Sequence, residues 1–180
     1  MSGYGEKPFG INEIKLANTT GTTQVALPFD RTMQFSERLV SGELRGSGKT
    51  VAVVSEVDAV EFSLEAGGIS LEAYALMSGR TVVESGTTPT RINTLTSTGA
   101  ARFPYFLLYG KSLGDGDDDV HIKLWKCKLT SGIEGSLADG EFFVTACSGV
   151  CIDDGTNGIF DIVQNETATT LPDPPVQSGI

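Results

Sequence analysis

The chemistry this chain could carry is concentrated in a few short stretches. Gly46-Ser47-Gly48-Lys49-Thr50 ends like a phosphate-binding loop, in which backbone N–H groups cradle phosphate and the Lys reaches it. Such a loop needs a Gly five positions before Gly48, and Glu43 stands there. It must also open a helix, whereas Val51-Ala52-Val53-Val54 reads as strand. A hairpin tip is the better reading. Asp115-Gly116-Asp117-Asp118-Asp119 alternates acids as a calcium loop does, but Val120 and Lys126 occupy the places of the loop's Gly and Glu. A solvated hairpin turn is expected. His121 is the single His, so a Ser-His-Asp or Cys-His site would have to use it. No nucleophile elbow accompanies it, and a surface or subunit-contact role is expected. Cys127, Cys147 and Cys151 with His121 could formally hold zinc, but a spacing of four along a strand suits no zinc knuckle. Three Cys argue against a closed disulfide framework, so buried small residues are the default. No catalytic residue, cofactor or metal ligand is assigned.

The elements that would position these residues are mostly strands. From Gln24 to Val40, the residues Val25, Leu27, Phe29, Met33, Phe35 and Leu39 share one parity. Gln24, Asp30, Thr32, Gln34, Ser36 and Arg38 share the other. This period of two predicts a long strand with one apolar and one wet face. Ser41 to Lys49 holds three Gly and reads as a long turn. Thr50 to Ala66 is the returning strand. Its apolar parity passes from Val51, Val53 and Val57 to Val60, Phe62, Leu64 and Ala66. One extra residue near Asp58-Ala59 would cause that slip, so a β-bulge is predicted. The wet face then holds Gln34, Ser36, Glu56, Asp58, Glu61, Ser63 and Glu65.

After Gly67-Gly68, Ser70 is placed as the N-cap of a two-turn helix that ends at Gly79, with Glu72 in its first turn. Further strands are expected at Ile11 to Leu16, Arg91 to Leu95, Arg102 to Lys111, Val120 to Thr130, Glu141 to Ile152 and Ile159 to Asn165. Residues 1–10 read as a flexible or partner-dependent arm, with Pro8-Phe9-Gly10 as an anchor. Residues 11–166 form a single β domain, and 167–180, with three Pro, an unpatterned tail. The fold class is therefore mainly β, with two packed antiparallel sheets as a sandwich or partial barrel, a long hairpin and one short flanking helix.

The net charge of −10, from 23 acids against 13 bases, excludes a protein that clamps nucleic acid by neutralising phosphates. It leaves room for one that handles DNA without gripping it. No basic segment followed by an apolar core opens the chain, and the run Phe103 to Tyr109 is too short to span a bilayer. Folding in a cytoplasm, away from membranes, is expected.

Three stretches resemble a known family. They are Gly42-Glu43-Leu44-Arg45-Gly46, then Ala59-Val60-Glu61-Phe62-Ser63-Leu64-Glu65-Ala66-Gly67-Gly68-Ile69-Ser70-Leu71-Glu72-Ala73, then Pro104-Tyr105-Phe106 with Asp118-Asp119-Val120-His121-Ile122-Lys123-Leu124. Together they look like the major tail tube protein of long-tailed, non-contractile bacteriophages, from about Phe9 to Thr170. The resemblance implies six-fold rings that stack into a hollow tube for DNA ejection. It implies a virion protein assembled in the host cytoplasm. Its partners would be further copies of itself, the tape measure protein in the lumen, and tail tip and tail terminator proteins, with DNA only in passage. It also implies that the hairpin tip, Gly42, Glu43, Leu44, Arg45, Gly46 and Lys49, reaches the neighbouring ring. The wet face would line the lumen, where its acids repel phosphate within a screening length of about 8 Å. The inner tube of a contractile tail shares the fold and is an alternative, as is a β-sandwich binding calcium or glycan through the Asp115 to Asp119 loop.

Overall fold

The computed structural model describes residues 7–68, 70–99, 102–114, 116–141 and 143–173. In chain order the elements are β1 (Glu13–Asn18), β2 (Gln24–Ala26), β3 (Asp30–Gly46), β4 (Lys49–Gly67), α1 (Leu71–Ser78), β5 (Val82–Ser85) and β6 (Ile92–Leu95). Then follow β7 (Phe106–Leu113), β8 (Asp119–Leu129), β9 (Glu134–Ser136), β10 (Val144–Cys151) and β11 (Phe160–Asn165). The chain is mainly β, as the period-two alternation predicts. One antiparallel sheet runs β2-β1-β7-β8-β10-β4-β3, with β11 on β8 and β9 on β10, while β5 and β6 pair separately.

The large sheet is bent. Four strand steps separate β7 from β3, roughly 19 Å if the sheet were flat. Yet a Cβ on Gly110 of β7 would lie 2.5 Å from the Met33 sulfur of β3. The rings of Phe35 on β3 and Phe160 on β11 are also only 5.8 Å apart. Two half-sheets therefore face each other across one core, and the expected two layers are made from a single sheet. That core holds Ile14, Leu16, Val60, Phe62, Leu64, Phe106, Leu108 and Leu124, with Ala73 and Met77 from α1. Each such large side chain contributes about 2 kcal/mol on burial.

Phe106-Leu107-Leu108-Tyr109 is apolar on both parities because both faces of β7 are covered. Phe106 and Leu108 enter the main core. Leu107 and Tyr109 join Ala17, Trp125 and Leu171 in a second cluster.

The bulge falls where the alternation places it. Arg38 pairs with Ala59 and Leu39 with Val57, so Asp58 is the extra residue. α1 also has its predicted caps: the Ser70 hydroxyl accepts from the Ala73 N–H, and Gly79 is left-handed at φ 68°.

Other boundaries differ. The first long strand is not continuous from Gln24, because Pro28 offers no N–H to a ladder and Phe29 takes a left-handed φ of 55°. The long turn over Ser41 to Lys49 is mostly strand. Only Ser47 and Gly48 turn, at φ 50° and 78°, the pair of positive values that matches strand twist in a two-residue hairpin. β5 and β9 are additional short strands. The C-terminal tail is docked over 167–173, with Leu171 buried; residues 174–180 lie outside the described residues, as do 1–6 of the N-terminal arm. The Phe9 side chain, expected to anchor that arm, is exposed; its backbone N–H donates to Leu113 O instead. Among the described residues, no helix is long and apolar enough to cross a membrane.

Candidate functional site

The hairpin β3–β4 has two unlike halves. In the proximal half, Gln34 stands opposite Ser63, Ser36 opposite Glu61, and Thr32 opposite Glu65. Alternation puts these side chains on the face away from the core, where Met33, Phe35, Phe62 and Leu64 point inward. β10 continues this wet face, with Ser148 beside Ser63 and Val150 beside Glu61. Lys128 of β8 lies next to Val150, and Glu134 of β9 next to Ala146.

The bulged Asp58 joins the same face through Arg38, whose Nε and Nη2 donate to its Oδ2 at 3.0 and 2.5 Å. Arg38 Nη1 also lies 3.8 Å from Glu61 Oε1. Glu56 is opposite Val40, on the same side but beyond the bulge. All seven predicted wet-face residues thus share one side of the ribbon. Sequence reasoning placed Arg38 on this parity but did not see that it bridges Asp58 and Glu61.

Beyond the bulge apolar side chains stand on both sides of the ribbon, beside Glu56 on one and Glu43 on the other. One side carries Val40, Leu44, Ala52 and Val54; the other carries Leu39, Val53 and Val57. Leu44 is 64% exposed and Val54 60%. The six predicted tip residues all lie in this half and are exposed, but in strand. Glu43 and Arg45 approach within 3.9 Å. Gly46 to Thr50 spans a strand–turn–strand, so no helix N-terminus faces the place a phosphate would occupy. Among the described residues, no other strand pairs with the outer edge of β3.

The second polar constellation is internal. Asp119, the first residue of β8, is fully buried, as is His121, so the His is not on the surface; the hairpin turn that precedes it is solvated as expected at Gly116 and Asp117. Asp119 accepts from Asn165 Nδ2 at 2.6 Å and from the Thr169 N–H at 2.7 Å. His121 Nε2 lies 3.1 Å and Lys111 Nζ 3.2 Å from its Oδ2. Burial alone would raise this carboxyl's pKa. The hydrogen bonds from Asn165, Thr169 and Lys111 and the charge of His121 outweigh burial and hold it at about 2. Lys111 Nζ also donates to Thr169 O, and Lys15 Nζ donates to Leu171 O at 2.9 Å. The cluster is a clasp that seats residues 167–173 on β1, β7 and β8. Its sequence signal was the shared parity of Asp119 and His121 at a strand start.

Two of the three buried cysteines depart from expectation. Cys127 and Cys151 form a disulfide, while Cys147 is a buried free thiol. Cys127 stands opposite Cys151 across two neighbouring strands, a closeness that the count of three does not reveal. Among the described residues, no group of three or more His, Cys, Asp or Glu is placed to hold a metal ion. No protein-family model matches the chain, and no curated protein matches it.

Proposed function

We propose that this chain is the structural subunit of a bacteriophage tail tube, forming six-fold rings that stack into a hollow conduit for DNA. The observation that carries this reading is the distal half of β3–β4. A ribbon that exposes Leu39, Val40, Leu44, Val53 and Val54 on two opposite faces is a poor surface for a lone molecule. The free edge of a 17-residue strand adds to the mismatch. Assembly with further copies would cover both, since ring closure supplies every edge with a neighbour.

The proximal wet face suits the lumen wall. It carries Asp58, Glu61 and Glu65, with Glu56 on the same side just beyond the bulge, against Arg38 and Lys128, so it repels phosphate without a contiguous basic surface to hold it. DNA in passage would meet serines, a glutamine and acids rather than clamps. The tape measure, tail tip and terminator proteins are the partners this role entails.

Negative-stain microscopy of the purified chain at rising concentration tests the reading. Rings or tubes with a central channel are expected. A strictly monomeric protein at high concentration, even with tail tip components added, would overturn it.

A further inference from the structure

Cys127 of β8 and Cys151 of β10 stand directly opposite each other, and their sulfurs are bonded. These two strands are where the half-sheets meet. One half, β1-β2-β7-β8-β11, carries the C-terminal strap; the other, β3-β4-β9-β10, carries the hairpin. The β8–β10 ladder has three register pairs, Gly149 with Leu129, Val150 with Lys128, and Cys151 with Cys127. By contrast β10 and β4 share eight, and β1 and β7 six. Ile152 N donates to Lys126 O beyond one end of the short ladder; beyond the other, Thr130 N and Ser131 N donate to Ser148 O, and Ser148 N donates to Ser131 Oγ. The disulfide therefore spans a ladder as short as the edge pairings β1–β2 and β9–β10, and it is on this short ladder that the two halves meet.

We propose that Cys127 and Cys151 form a redox-operated staple of this seam. As a disulfide they lock the hairpin half to the strap half. As two thiols they leave the halves held by the short ladder and the shared core. The fold survives reduction, because both residues are fully buried in that core and pack as small apolar groups. In closing, the two thiols give two protons and two electrons to a small-molecule disulfide such as oxidised glutathione, which leaves as two thiols. A dithiol reductant runs the exchange backwards. Cys147 stands aside: it is buried, packs 3.9 Å from the Met77 sulfur, and burial pushes its thiol up to about 11. Since the paired sulfurs are enclosed, exchange proceeds when the seam opens. The staple does not depend on the tube reading.

The test uses the full chain in two batches, one treated with oxidised glutathione and one with dithiothreitol. Alkylation in denaturant should count one thiol in the first and three in the second. Hydrogen exchange should be slowed in the disulfide form by about tenfold or more, concentrated at residues 126–130 and 148–152. The bond closes a loop with a sequence separation of 24. It should therefore lower the unfolding equilibrium constant on the order of 100-fold. Cys147→Ala should keep both differences. The double variant Cys127→Ala, Cys151→Ala should behave as the dithiol form in either buffer. Three alkylatable thiols after oxidation would overturn the proposal, as would protection that is equal in the two forms or spread evenly over both halves.

Discussion

Among the surfaces that carry apolar side chains outside the main core, two are treated in opposite ways. On the outer face of β1, β7 and β8, Ala17, Leu107, Tyr109 and Trp125 are covered by the chain's own C-terminal strap through Leu171. On the distal hairpin, Leu44, Val53 and Val54 are covered by nothing in the described chain. The first surface is finished with a polar clasp, in which Asp119 collects donors from Lys111, Asn165 and the Thr169 backbone. The second has no comparable network, only the outlying Arg45–Glu43 pair at 3.9 Å. The contrast teaches where cover is built in and where it must come from another molecule. A face to be closed in cis is given a plug and directional hydrogen bonds. A face left open is given β-branched residues that can pack against a neighbour.

The sharpest way to break the covered side is Asp119→Ala. It leaves Lys111 and His121 beside an emptied buried site and removes the acceptor of the Thr169 N–H. Loss of one partner from such a buried set costs about 3–5 kcal/mol, read as a fall in the urea midpoint. The matching change on the ribbon, Asp58→Ala, removes a half-exposed ion pair with Arg38 and should cost less than about 1 kcal/mol. Equal losses at the two positions would erase the distinction between clasp and surface pair.

Leu171→Ala comes next. Leu171 is 1% exposed, so its truncation leaves a cavity against Leu107, Tyr109 and Trp125 worth about 2–4 kcal/mol. The Trp125 indole donates to Asp161 Oδ2 at 3.2 Å beside this plug. A change in its fluorescence should therefore accompany the loss of stability. A variant with native fluorescence and an unchanged urea midpoint would show that the strap is not part of the folded unit.

How much of this contrast could be read in the sequence follows from the range of the forces involved. Local patterns sufficed for the hairpin, the bulge at Asp58 and the helix between Ser70 and Gly79, because alternation and capping are set by near neighbours. The strap was not legible. Leu171 sits among prolines with no period, and the residues it touches are Ala17, Leu107, Tyr109 and Trp125, all distant in sequence. The disulfide failed for the same reason: Cys127 and Cys151 are opposite only after β10 has chosen β8 as its neighbour. The apolar parity of the hairpin was seen, but its exposure was not, since alternation says which residues share a face and nothing about what lies against it.

Acid separates the two regions more gently. Asp119 is held at about 2 in the fold against 3.8 in the free carboxyl. A depressed carboxyl contributes its stability above the unfolded value and loses it as pH falls toward the folded one. About 2 kcal/mol should therefore be present at pH 5 and lost progressively between about pH 4 and pH 2. Urea titrations across that window check it, with Asp119→Asn as the comparison. If the variant shows the same slope as the native chain, other carboxylates carry the acid sensitivity.

The smallest effect on the isolated molecule is expected on the uncovered side, and that makes it the most informative. Val53→Thr and Val54→Thr keep the branched shape and strand preference while adding a hydroxyl to each face of the distal ribbon. Both side chains are exposed, so the monomer's urea midpoint should move by no more than about 0.5 kcal/mol. Assembly should respond quite differently, because a neighbour packed on both faces would have to bury two unpaired hydroxyls at every copy. Microscopy and sedimentation of the double variant should then show subunits in place of rings or tubes under conditions where the native chain assembles. If assembly is untouched, the distal hairpin is not a contact between copies. The apolar faces would then need another partner, and the ribbon's length another reason.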